Sequence, residues 1–283
     1  MPRKPRRGGS NRAAIRRLRG YANRANGWFF GWLGVLIGGP VLSCGGVNVF
    51  GADTVGIFCC FFGLLSPFVA LGGLMLMVGD RGRWNRALGF AEEGDDLGLD
   101  YTEEPGRGAA AFLRGCATIG DADHELLRNR LEGRYRGRRV QVMDYRSGYG
   151  KSSVVYRTTV VWDGEARGAP RFALYPRGWR QRLAEAVGLG GTTIRIRGER
   201  QFNDEYTLLG GDADEVAACF GEELVALCLR ERNLVLEARD GSLLVYWDGE
   251  EFPPRELADR LAVAYRVLRL LAPPDDAADD GES

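Results

Sequence analysis

Histidine is all but missing from this chain: His124 is the single one in 283 residues. One chain therefore cannot assemble a multi-histidine metal site, and a histidine-based triad would have to use that residue, with no GxSxG elbow beside it. Cysteine is sparse as well. The six cysteines include no CxxC pair, which removes the common zinc and redox spacings. Net charge is absent too, with 38 basic side chains against 38 acidic ones. The most consequential scarcity is local: no charged residue occurs from Ala25 to Ala52, and after Asp53 none occurs from Thr54 to Gly79.

The zero total conceals two unlike parts. Residues 1–24 hold nine bases (Arg3, Lys4, Arg6, Arg7, Arg12, Arg16, Arg17, Arg19 and Arg24) and no acid, which leaves 29 bases against 38 acids, a net of −9, for the rest. Each charge-free run exceeds the roughly 20 helical residues that cross a bilayer core, whereas a cleavable leader has a shorter apolar region of about 7 to 15. The two runs read as a transmembrane hairpin. Bases before the first run, and Arg81, Arg83 and Arg86 after the second, keep both termini in the cytosol and put the Asp53 turn outside. Trp28, Trp32 and Trp84 fall at the inner interface. Pro40 and Pro67 are expected to bend the two helices, and the Gly27/Gly31 and Gly34/Gly38 pairs permit close packing, within the hairpin or between copies. Neither run carries an ionisable group, which disfavours transport by the hairpin alone.

The expected organisation is a basic cytosolic arm (1–24), the hairpin (25–80), a juxtamembrane helix and acidic linker (81–108), a soluble α+β domain with an antiparallel sheet and packed helices (109–272), and an acidic disordered tail (273–283). Asp121 to Asn129 can form a short helix. Strands are expected at Leu131–Arg136, Arg139–Arg146, Ser153–Trp162 and Arg171–Tyr175, joined by glycine turns as a meander. In the third, Val154, Tyr156, Val160 and Trp162 share one face, the pattern of a half-buried strand. A helix over Trp179–Val187 and strands near Thr193–Arg197 and Glu205–Leu209 follow. Asp212 and Glu215 have capping-box spacing ahead of a stripe of Val216, Phe220, Leu224 and Cys228 interrupted at Gly221. Asp240-Gly241 between two apolar runs signals a tight hairpin. Pro253 and Pro254 then open a last helix with Leu257, Leu261, Tyr265 and Leu268 on one side.

Motifs with chemistry fall away on inspection. Gly148-Tyr149-Gly150-Lys151-Ser152 has the end of a phosphate-binding loop, but Tyr145 stands where its first glycine belongs and a strand follows instead of a helix. His124-Glu125 begins a zinc-protease pattern whose second histidine is Arg128. Cys219 and Cys228 read as small apolar core residues. Neither catalytic residues nor metal or cofactor ligands are assigned. A candidate polyanion-binding surface remains around the first strand pair: Arg134, Arg136, Arg138, Arg139, Arg146 and Lys151, interleaved with tyrosines. The arm from Arg3 to Arg24 is the sharper electrostatic feature, since each base near an anionic leaflet contributes up to about 1 kcal/mol.

The ordering of "LEGRYRGRRVQVMDYR", "YRTTVVW", "PRFALYPRGW", "EYTLLGGDADEV" and "DGSLLVYWDGEEFPPREL" behind a basic start and a two-span hairpin resembles an uncharacterised group of bacterial membrane-anchored proteins with a soluble domain of unknown function. The likeness runs from about residue 25 to 271. It implies a bacterial inner-membrane protein and assigns no active-site residue. The expected function is that of a membrane-tethered cytosolic interaction domain, non-enzymatic, whose partners are the lipid bilayer and its anionic head groups, a cytosolic protein, or a second copy of the chain. Nucleic acid is disfavoured by the acidic domain. The alternatives are a membrane-bound enzyme acting on a lipid or nucleotide near the inner leaflet and, more weakly, a pore of associated hairpins.

Overall fold

A computed structural model describes residues 11–24, 27, 28, 30, 31, 34, 81–106, 113, 116, 119, 127–148, 154–177, 192–249 and 251–272. Contacts group the chain into two compact units, Arg12–Gly89 and Met1–Asn11 with Phe90–Ser283. The two charge-free runs lie almost wholly outside the described residues, as do Asp53, the Trp179–Val187 helix, Lys151 and the tail. Among the described residues no helix is long and apolar enough to cross a membrane.

The second unit is α+β, built on one nine-stranded antiparallel sheet. Its strands are β1 (Asp100–Thr102), β2 (Leu127–Tyr135), β3 (Arg138–Gly148), β4 (Val154–Trp162), β5 (Phe172–Pro176), β6 (Thr192–Ile194), β7 (Tyr206–Gly210), β8 (Leu234–Arg239) and β9 (Ser242–Trp247). They lie in the order β1-β2-β3-β4-β9-β8-β5-β7-β6. The expected meander therefore holds only as far as β4. The β8–β9 hairpin is inserted beside it, because β9 pairs with β4 through Thr159↔Tyr246 to Trp162↔Leu243. At the hairpin tip Asp240 and Gly241 both have positive φ, 51° and 74°, as the Asp-Gly pair requires. Arg136 and Gly137 repeat that geometry between β2 and β3 with φ of 51° and 84°.

Three expectations are corrected here. The acidic stretch read as a linker is helical to residue 97 and then forms β1, because Tyr101 and Leu99 bury themselves while Asp100 and Thr102 face solvent. The short helix expected to reach Asn129 does not: strand β2 begins at Leu127, since Leu127, Asn129 and Leu131 alternate inward and Leu127 pairs with Tyr145. Strand β4 is not half-buried. Thr158, Thr159, Val160, Val161 and Trp162 are all inaccessible, because the strand is central and both faces of the sheet are covered.

One face carries the helices that follow β6. Helix α3 (Arg200–Glu205) is followed by α4 (Ala213–Cys219), α5 (Glu222–Arg230) and, after a 3-10 turn at Pro254–Glu256, α6 (Leu257–Leu271); the helices at 11–24 and 81–97 precede them as α1 and α2. Tyr265 of α6 meets Trp162 and Tyr135 at 5.9 and 6.0 Å, and Phe220 meets Phe172 edge-on at 5.1 Å. The opposite face packs Met143, Tyr145, Val161, Leu244, Tyr246 and Val235 against Leu113, Cys116 and Ile119. Asp212 caps α4 by accepting from the N–H groups of Asp214 and Glu215, as the capping spacing predicts. The Val216, Phe220, Leu224 and Cys228 stripe is buried on two helices, parted where Gly221 becomes the N-cap of α5.

Candidate functional site

Residues 11–24 of the arm are helical, ahead of the first charge-free run. Leu18 and Ala22 are buried, one helical turn apart, while Arg12, Arg16, Arg17, Arg19 and Arg24 are exposed. The remaining bases of the arm, Arg3, Lys4, Arg6 and Arg7, lie outside the described residues. Backbone capture by the long side chains, Arg16 Nε to the Arg12 carbonyl at 3.4 Å and Arg24 Nε to the Gly20 carbonyl at 3.3 Å, holds two guanidinium groups along the helix.

At Tyr21 this helix touches α2. Tyr21 stacks on Trp84 of α2 with ring centroids 4.7 Å apart and planes 26° from parallel. Arg24 lies over the Tyr21 ring at 4.9 Å and Arg83 over the Trp84 ring at 5.2 Å. Four groups thus form a layer of two aromatic rings and two cations. Between Arg24 and Arg83 lie the two charge-free runs, Asp53 that parts them, and Asp80, Arg81 and Gly82. Beyond the layer, residues 27, 28, 30, 31 and 34 are helical, and Trp28 and Phe30 are each 63% exposed.

The surface expected on β2 and β3 is divided by the strand register. Arg134 and Arg139 face each other on one side of the sheet, while Tyr135 and Arg138 form the next pair on the other. Arg134 donates to the Gly137 carbonyl at 2.7 Å. With Glu132, Gly133, Gln141 and Asp163, Arg134 and Arg139 line a hollow of about 220 Å³ in which two carboxylates offset the two cations. Arg138 pairs with Glu165 at 3.1 Å, and the Arg139 N–H donates to the same carboxylate at 2.8 Å. Burial would raise the Glu165 carboxyl, but the Arg139 N–H, the Arg138 hydrogen bond and the charges of Arg138 and Arg134 together hold it below its ordinary value. Arg136 spreads over Tyr135 and Tyr265 at 5.5 and 5.3 Å. Arg146 is exposed at the far end of β3, and Lys151 lies outside the described residues. The five described cations do not share one face.

Sequence reasoning missed a buried polar chain. Tyr101 Oη donates to Asn129 Oδ1 at 2.9 Å, Asn129 Nδ2 to Asp144 Oδ2 at 2.8 Å, and Thr158 Oγ1 to Asp144 Oδ1 at 2.8 Å. Asn129 sits at φ 51°, where the β2–β3 register shifts, and Asn tolerates that conformation best among residues with a side chain after glycine. Its signal, an Asn within an alternating run, was masked by the Asp-rich start that reads as a helix cap. The buried thiols are held protonated: burial pushes Cys228 up to about 12, and burial followed by the charge of Glu237 raises Cys116. Among the described residues no cluster of His, Cys, Asp or Glu could hold a metal ion.

The chain matches no protein-family model and no curated protein sequence. It is similar in structure to the mycobacterial trehalose monomycolate transport factor A, TtfA, at 15% identity and a TM-score of 0.48, over 69% of this chain and 98% of that one.

Proposed function

We propose that this protein is a membrane-anchored interaction module: the runs at 25–52 and 54–79 form a two-span hairpin, the basic arm lies on anionic head groups, and the sheet domain works as a binding surface on the cytosolic side. The observation that carries the reading is the Tyr21–Trp84 stack. A chain that departs and returns at one layer, with two charge-free runs between that are parted by Asp53 and followed by Asp80 and Arg81, has the connectivity of a hairpin. The flanking Arg24 and Arg83 supply positive charge where the inner leaflet is negative, and exposed Trp28 suits the head-group boundary.

The sheet domain supports binding over reaction. Glu165, Asp248, Glu223, Glu132 and Glu256 are each held by an arginine, from Arg138, Arg157, Arg266, Arg130 and Arg260 in turn, which leaves them as structural partners. Labelling with a membrane-impermeant maleimide tests the topology, in a full-length background with Cys44, Cys59 and Cys60 replaced by serine. Asp53→Cys is expected to react on intact cells, and Ser10→Cys and Ser283→Cys only after permeabilisation. Labelling of Ser10→Cys on intact cells, or recovery of the protein in the soluble fraction after lysis, overturns the proposal.

A further inference from the structure

One edge of the nine-stranded sheet is closed by a side chain. Strand β1 pairs inward with β2 through Asp100↔Glu132 to Thr102↔Arg130, so the opposite side of β1 is the sheet's rim. On that rim the Asn11 carboxamide, 2% exposed, makes two bonds. Its Nδ2 donates to the Leu99 carbonyl at 2.6 Å, and its Oδ1 accepts from the Tyr101 N–H at 2.8 Å. A carboxamide has one acceptor and N–H donors in the arrangement of a peptide group. Asn11 thus occupies, opposite Asp100, the place that one residue of an added strand would take. Asn11 belongs to the same compact unit as the sheet.

The rim beneath is built to keep its shape. Tyr101 is tied inward by its hydroxyl bond to Asn129, and the Leu99 N–H donates to the Gly94 carbonyl at 2.7 Å. Glycines let these pieces close up: a Cβ on Gly94 would meet Leu131 Cδ2 at 2.3 Å, and one on Gly133 would meet Leu99 Cδ2 at 2.9 Å. The rim is also strongly acidic. Residues 92–104 include Asp95, Asp96, Asp100, Glu103 and Glu104 and no base, and Asp96, Asp100 and Glu104 are exposed.

We propose that the β1 rim is a strand-addition site for an extended, basic peptide segment of a partner, and that Asn11 holds it shut until displaced. Main-chain bonds to Leu99 and Tyr101 supply affinity of the kind an exposed edge gives, and the acids around it select arginine and lysine. A second copy of this chain fits poorly, because pairing two β1 rims would bring their acidic runs together. This reading does not depend on how the chain meets the membrane.

Binding of a fluorescent hexapeptide of alternating arginine and valine to the full-length protein in detergent tests it. Asn11→Ala is expected to bind about tenfold more tightly than wild type, because the peptide no longer displaces two hydrogen bonds. Hydrogen exchange should show the Tyr101 amide unprotected in the free variant and protected in the bound one. Asn11→Asp keeps the acceptor for Tyr101 but lacks the donor for Leu99, and is expected between the two; it also serves if the alanine variant folds poorly. Equal affinities for all three proteins overturn the proposal, as does equal binding of the same peptide with every backbone nitrogen methylated, which has the charge without the donors. Self-association of Asn11→Ala without peptide, seen by sedimentation, overturns the choice of occupant in favour of a second copy.

Discussion

Asn129 shows how much one residue can be asked to do. Its backbone is left-handed, its amide N–H donates to the Glu103 carbonyl at 3.0 Å, and its side chain links the Tyr101 hydroxyl to buried Asp144. Asn129→Ala should destabilise the domain by about 3 kcal/mol in urea unfolding, from the left-handed strain of a Cβ without local hydrogen bonds and from two bonds lost in a buried setting. Asn129→Gly removes the strain but not the loss and should fall between the two. Glu165 carries a pH prediction. Its folded carboxyl is held below the ordinary value, so the stability it contributes is complete above that value and is lost as pH falls through the depressed one. Arg138→Ala removes its side-chain partner, and acid unfolding of that variant, followed by circular dichroism, should begin at a higher pH than in wild type. The thiols give a third test: tryptic mapping after alkylation at neutral pH should find Cys116 and Cys228 modified only when the protein is denatured first, because burial disfavours both thiolates.

At the scale of elements, local chemistry set most boundaries. Asp212 starts α4, Gly221 starts α5, and Pro253 caps the 3-10 turn that Pro254 opens ahead of α6. Asp212→Ala should cost about 1 kcal/mol, since two N–H groups lose their acceptor. Gly221 has φ −67° and open space about its α-carbon, so Gly221→Asp meets no clash and gains a capping oxygen beside the helix N-terminus. A gain of about 0.5 kcal/mol in the urea midpoint analysis is expected. These elements were legible because caps, glycine turns and the Val216-to-Cys228 stripe act over a few residues. Strand β1 was not. Its three residues sit in acidic, glycine-rich sequence, and only pairing with β2 and the inward burial of Tyr101 make them a strand.

For the whole molecule, the proposed topology rests on charge placement, which makes it testable by charge reversal. Replacing Arg16, Arg17, Arg19 and Arg24 by glutamate, together with Arg81, Arg83 and Arg86, should turn a fraction of molecules over, so that Ser10→Cys becomes reactive on intact cells while Asp53→Cys loses reactivity. The sequence by itself determined the asymmetry of charge, the two apolar runs, the α+β class, and the caps and turns, because each depends on residues adjacent in the chain. Only the tertiary structure decided the strand order, the division of Arg134 and Arg139 from Arg136 and Arg138 onto opposite faces, and the meeting of Tyr21 with Trp84. The same holds for Asn11, which lies 88 residues before the carbonyl it closes off. Hydrogen bonds between distant segments follow from which surfaces the whole core brings together, and no local spacing records that.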